Sequence, residues 1–123
     1  MTQKKITITR DSVSMGDDSL GRVASVIEIS DEDRIATILT MIMDMGYLPK
    51  ISGGKATWSV ATNRPLAIIA QEWQEPKLIV PKEFPFQGSR ISNYIERLHF
   101  NYFAQLDPDV VYQVLSRFRI PEI

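Results

Sequence analysis

The chain has no cysteine and a single histidine, His99, among its 123 residues. Without thiols there is no disulfide framework, no thiol catalysis and no thiolate metal site. With one imidazole, any triad or histidine base has to use His99. Long apolar runs are missing too. The longest, Leu66 to Ala70, is five residues, whereas a helix needs about 20 to span a bilayer. Neither sign of charge dominates: 14 Lys and Arg stand against 15 Asp and Glu, a net charge of −1. General nucleic-acid binders carry a basic excess, so direct nucleic-acid binding is not expected. The N-terminal stretch from Met1 to Arg10 alternates polar and apolar residues and has no apolar core of a secretory leader. These absences predict a cytoplasmic protein that neither enters nor crosses a membrane.

What is present is the composition of one globular domain, residues 1–123. Apolar residues make up 44% of the chain and its seven prolines are scattered, so the chain is long and apolar enough to bury a core. Residues 5–10 alternate, with Ile6 and Ile8 on one face, and predict a half-buried strand. Arg22 to Ile29 supplies Val23, Val26, Ile27 and Ile29 and predicts a second strand. A helix is expected over Asp31–Met45. Ser30 stands as its N-cap, Asp31, Glu32 and Asp33 sit in its first turn, and Ile35, Ile38, Leu39, Ile42 and Met45 form one face. Gly46 follows as a left-handed terminator.

Tyr47–Ser52 and Lys55–Thr62, joined by Gly53-Gly54, read as a hairpin. Leu66–Trp73 and the proline-bounded Leu78–Val80 read as further strands, the latter at a sheet edge. A helix is expected over Ser89–Ala104 through Ile91, Tyr94, Ile95, Leu98 and Tyr102, and another after the Asp107-Pro108 start signal. The predicted class is α+β: a mostly antiparallel sheet, one helix after the second strand and two C-terminal helices.

Most catalytic and ligand motifs fail on spacing. Gly53-Gly54-Lys55 is not a phosphate loop, because Pro49 and Ala56 stand where glycine and Ser/Thr are required. Asp31-Glu32-Asp33 is not a calcium loop, because Ala36 and Ile42 replace the needed glycine and acid. His99, between Leu98 and Phe100, reads as a packed or half-exposed helix residue, and no Gly-x-Ser-x-Gly turn accompanies it. The C-terminal aromatics interleaved with Arg90, Arg97, Arg117 and Arg119 read as core beside a wet face rather than as a base-stacking platform. Asp17-Asp18 is the one acidic pair with a magnesium reading, and it lacks a third ligand at a useful spacing. No cofactor, no metal and no catalytic group is expected.

Charge placement is the distinctive feature. From Asp11 to Asp33 there are seven acids (Asp11, Asp17, Asp18, Glu28, Asp31, Glu32 and Asp33) and one base, Arg22, so this segment carries −6 in a protein of −1. An acidic surface of this kind steers a cationic partner and accelerates its docking.

The chain also resembles a known group. The run Ile8-Thr9-Arg10-Asp11-Ser12-Val13-Ser14-Met15-Gly16-Asp17-Asp18, with Gly46-Tyr47-Leu48-Pro49 and Gly53-Gly54-Lys55-Ala56-Thr57-Trp58, resembles small bacterial immunity proteins of contact-dependent growth inhibition and related polymorphic-toxin systems. The resemblance covers most of the first 75 residues and weakly the rest. It implies a protein that binds the C-terminal domain of a cognate toxin, often a nuclease with a basic cleft, and protects the producing cell. Joined to the charge map, it points to Asp11, Asp17, Asp18, Asp31, Glu32 and Asp33 as toxin-binding residues in a chain that is monomeric when free. Trp73 and Tyr47 are the candidate aromatic anchors. Two other classes stay open: a small enzyme or metal-binding domain using Asp17-Asp18, and a homo-oligomeric adaptor associating through its C-terminal helices.

Overall fold

A computed structural model describes residues 3–11, 24–30, 32–49, 56–82, 84, 95–104 and 106–118. Strand β1 covers Gln3–Arg10 and β2 covers Ala24–Ser30, followed by helix α1, Ile35–Asp44. Strands β3 (Thr57–Ala61), β4 (Pro65–Ala70) and β5 (Lys77–Leu78) come next, then β6 (Arg97–Tyr102) and helix α2 (Pro108–Leu115), which ends in a 3₁₀ turn, Ser116–Phe118. The six strands form one sheet in the order β2-β1-β6-β3-β4-β5. β1 and β6 run parallel, while every other pairing is antiparallel. The α+β class therefore stands; the sheet is mixed, its parallel β1–β6 pair departing from the expected, mostly antiparallel arrangement.

Period-two patterning explains β1 and β2. Ile6 and Ile8 share one side of the sheet with Ile27 and Ile29, and all four are buried. α1 lies over this inner face through Ile35, Ile38, Leu39 and Ile42, packing with Trp58, Val60, Leu98 and Phe100 into the main core. Each such side chain contributes roughly 1.5–3 kcal/mol relative to exposure. α2 covers the opposite, outer face at β4: Val111 packs with Ile68 and Ile79, flanked by Trp73, Phe103, Tyr112 and Leu115.

The N-terminal end of α1 differs from expectation. The helix opens at Ile35 after Arg34, with no acidic residue in its first turn and no side-chain cap. Ser30 and Asp33 do exchange capping-type bonds: the Ser30 N–H donates to Asp33 Oδ2 (2.8 Å) and the Asp33 N–H donates to the Ser30 carbonyl (2.9 Å). They close a turn that ends β2 rather than one that starts the helix. At the other end Gly46 adopts φ +72°, the left-handed terminator anticipated from the sequence.

The larger correction concerns residues 97–102. The expected helix over Ser89–Ala104 is strand β6 where it is described; residues 85–94 lie outside the described residues. Leu98 and Phe100 point into the core, while Arg97 and His99 point away from it. That is the alternation of a strand, and pairing on both sides with β1 and β3 fixes it. Among the described residues one C-terminal helix stands where two were expected. α2 begins as predicted, with the Asp107 side chain accepting from the Asp109 N–H (2.9 Å) and Pro108 in the first turn. Tyr47–Pro49 are not extended strand, and the proposed Gly53-Gly54 turn lies outside the described residues. The short β5, bounded by Pro76 and Pro81, is the edge strand that its prolines indicated.

Candidate functional site

Cross-strand register brings a row of polar side chains onto the outer face. Thr9 lies beside His99, and Ser59 beside Asn101. Thr9 Oγ1 is 2.7 Å from His99 Nδ1, and His99 Nε2 is 2.9 Å from Asp11 Oδ1. A carboxylate only accepts, so Nε2 carries the proton, and in the neutral ring Nδ1 accepts from the Thr9 hydroxyl. Asp11 Oδ2 accepts the backbone N–H of Tyr102 at 2.9 Å. Alongside, Asn101 Nδ2 donates to Ser59 Oγ at 3.1 Å. This hydroxyl–imidazole–carboxylate line has the donor order of a base oriented by an acid. It spans β1, the residue after it and β6, and its His99 and Asp11 side chains are 38% and 44% exposed.

Sequence reasoning missed this line because it placed His99 on a helix. The signal was present as polar Arg97, His99 and Asn101 alternating with apolar Leu98 and Phe100, opposite Thr9-x-Asp11 in β1.

On the inner face, Arg10 is a buried cation. Its Nε donates to the Tyr47 carbonyl (3.1 Å), Nη1 donates to the Asp11 carbonyl (3.2 Å), and the guanidinium lies 5.6 Å from the Tyr47 ring centre. The Tyr47 hydroxyl donates to the Ile8 carbonyl (3.3 Å), and its ring meets Phe100 edge-on at 5.8 Å. Burial pushes the Tyr47 phenol above its ordinary value of 10.0, with Arg10 opposing the shift. The residue proposed as an exposed anchor is thus half-buried and tied to the β1 terminus. Trp73, the other anchor candidate, is half-buried beside α2, with Lys77 Nζ 5.8 Å from its ring centre.

The acids proposed to bind a toxin do not converge where they are described. Asp11 follows the C-terminal end of β1, whereas Ser30 pairs with Gln3 at the other end. At about 3.3 Å per residue, Asp11 and the Glu32–Asp33 turn stand roughly 25 Å apart along the strands. Asp11 is held by His99 and Tyr102, and Asp33 by Ser30. Glu28 and Glu32 are exposed. Asp17, Asp18 and Asp31 lie outside the described residues, and with them the magnesium reading of the Asp17-Asp18 loop. Among the described residues no group of three acidic or histidine side chains is placed to hold a metal ion, and no helix is long and apolar enough to cross a membrane.

A groove of about 750 Å³ runs between α1 and β5, lined by Thr37, Thr40, Leu78 and Val80, with Arg34 and Lys77 among its cations. Lys77 is already engaged: its Nζ is 4.4 Å from the Tyr112 ring centre and 3.8 Å from Asp109 Oδ1.

No protein-family model matches the chain, and neither a curated protein nor a solved structure matches it.

Proposed function

We propose that the chain is an immunity protein that binds a cognate toxin domain in a stoichiometric complex and so neutralises it. The observation that carries this reading is the −6 segment from Asp11 to Asp33, whose described members Glu28 and Glu32 present their carboxylates to solvent. A basic nuclease cleft is the natural complement of exposed carboxylates of this kind. The sequence resemblance to immunity proteins supports the same partner. A tight complex of this type buries about 1,600 Å² in total and depends on a few anchors. The Thr9–His99–Asp11 line has a structural place in this reading, since it ties the end of β1 to β6.

The test is a pull-down of the tagged protein from its own cells with the toxin region expressed, followed by mass spectrometry. A one-to-one complex with a basic toxin fragment supports immunity. A chain that stays alone with that fragment present contradicts it.

A second reading, association of two copies, is favoured by Leu106, Val110 and Val114, which stand four residues apart on and before α2 and are 57%, 53% and 47% exposed. Light scattering over a concentration series tests it, and a strict monomer rejects it.

A further inference from the structure

The two edges of the sheet are built differently. β5 has two residues, lies between two prolines and carries Lys77, all devices that discourage strand pairing. β2 has seven residues, Ala24–Ser30, with no proline, glycine or lysine, and among the described residues no strand pairs with its far side.

The hydrogen bonds show which backbone groups of β2 face outward. In β1, the Thr7 N–H donates to the Glu96 carbonyl (3.2 Å) and the Asp11 N–H to the Phe100 carbonyl (2.9 Å). The odd residues of β1 therefore turn their backbone toward β6, and the even residues turn theirs toward β2. Ile6 stands opposite Ile27, and Ile8 opposite Ser25, so Ser25 and Ile27 point at β1 while Val26, Glu28 and Ser30 point away. Ser30 confirms the assignment, because its outward N–H and carbonyl are both taken by Asp33. Among the described residues no backbone group takes up the outward rungs at Val26 and Glu28. The Val26 side chain is 60% exposed beside them.

Charge decides what fits this edge. From Ala24 to Asp33 the sequence has four acids, Glu28, Asp31, Glu32 and Asp33, and no base. A second copy of β2 paired in parallel would set Glu28, Glu32 and Asp33 against their own like charges, and an antiparallel copy of residues 24–33 would bring four more acids and no base. Lys5 stands across from Glu28 on β1, leaving the far side of β2 for an outside cation.

We propose that β2 is a strand-addition site, on which an extended basic segment of the partner protein pairs with Val26 and Glu28 and meets the acidic turn beyond Ser30. This inference rests on the proposed immunity function for the partner's identity, but not for the edge itself. Main-chain bonds would supply affinity, and alternating lysine or arginine side chains would supply selectivity.

The test uses the full chain and two probes: a synthetic peptide of alternating lysine and valine, with its glutamate–valine counterpart as control, and the toxin domain. Amide exchange is followed residue by residue. Exchange at Val26 and Glu28 should slow about tenfold with the lysine peptide, as expected for two new hydrogen bonds, and stay unchanged with the glutamate peptide. Val26→Pro removes an outward donor without touching the β1 ladder and should weaken lysine-peptide binding about tenfold. Glu28→Lys should weaken it while leaving the edge chemically intact, which guards against a misfolded proline variant. Unaltered exchange at Val26 and Glu28 with both the lysine peptide and the toxin domain overturns the inference. If the toxin domain binds while those amides stay unprotected, the edge inference fails and immunity stands. If the peptide docks on β2 but the toxin domain forms no complex, the edge stands and immunity fails.

Discussion

Asp11 and Tyr102, far apart in the sequence, meet where β1 and β6 end side by side: the Asp11 carboxylate accepts the Tyr102 backbone N–H at 2.9 Å while its other oxygen receives His99 Nε2 at 2.9 Å. The acid that opens the negative segment in the sequence is thus a clamp between the ends of two parallel strands. Asp11→Ala leaves a half-buried N–H and an imidazole without their acceptor. The expected cost is about 1 kcal/mol of stability, read as a lower urea midpoint with an unchanged slope. An unaltered midpoint would show that the clamp is idle.

Alkaline pH should act on Tyr47. Its phenol is raised above 10.0 by burial, so the folded state holds that proton after the unfolded chain has released it. The stabilisation is complete below pH 10 and is lost as pH rises from there through the folded value. Thermal melting between pH 9 and 11 should fall less steeply for Tyr47→Phe than for the parent. Parallel curves would remove Tyr47 as the cause.

Two backbone positions should respond in opposite directions. Gly46 has φ +72° and no neighbour within 4 Å of an added methyl, so Gly46→Ala pays only conformational strain, about 1 kcal/mol. Ala104 holds φ 51° without being glycine, and its carbonyl accepts the Thr57 N–H (3.2 Å). Ala104→Gly should relieve strain and stabilise by up to about 1 kcal/mol. Melting temperatures of the two variants that move together would contradict this.

The acids should divide by what already holds them. Glu28 and Glu32 are exposed, so Glu28→Gln with Glu32→Gln should slow association with a basic toxin domain by about two- to tenfold at low salt and flatten its salt dependence. Asp11→Asn should change the rate less, because that carboxylate is engaged inside the protein. Stopped-flow mixing at several salt concentrations separates the two; an equal effect at both sites would put Asp11 at the interface.

Much of this fold was legible because local signals and tertiary needs agree. The alternation of β1, the apolar face of α1, Gly46 at its end and Asp107-Pro108 before α2 all say locally what packing requires. β6 was misread because Leu98 and Tyr102 satisfy helical spacing as well as strand alternation over six residues. Its strand state comes from pairing with β1, some ninety positions earlier, and no local pattern encodes that parallel register. The candidate site suffered for the same reason. Closeness in sequence suggested one acidic patch, but an eight-residue strand separates Asp11 from the Glu32–Asp33 turn, and β6 delivers His99 to Asp11 instead.

The most direct test of the account is light scattering on a size-exclusion column, with the protein mixed with the C-terminal domain of the proposed cognate toxin, and toxin activity assayed across the peak. Immunity predicts a single one-to-one species in which activity is abolished. Two separate peaks, with a fully active toxin domain, would contradict it.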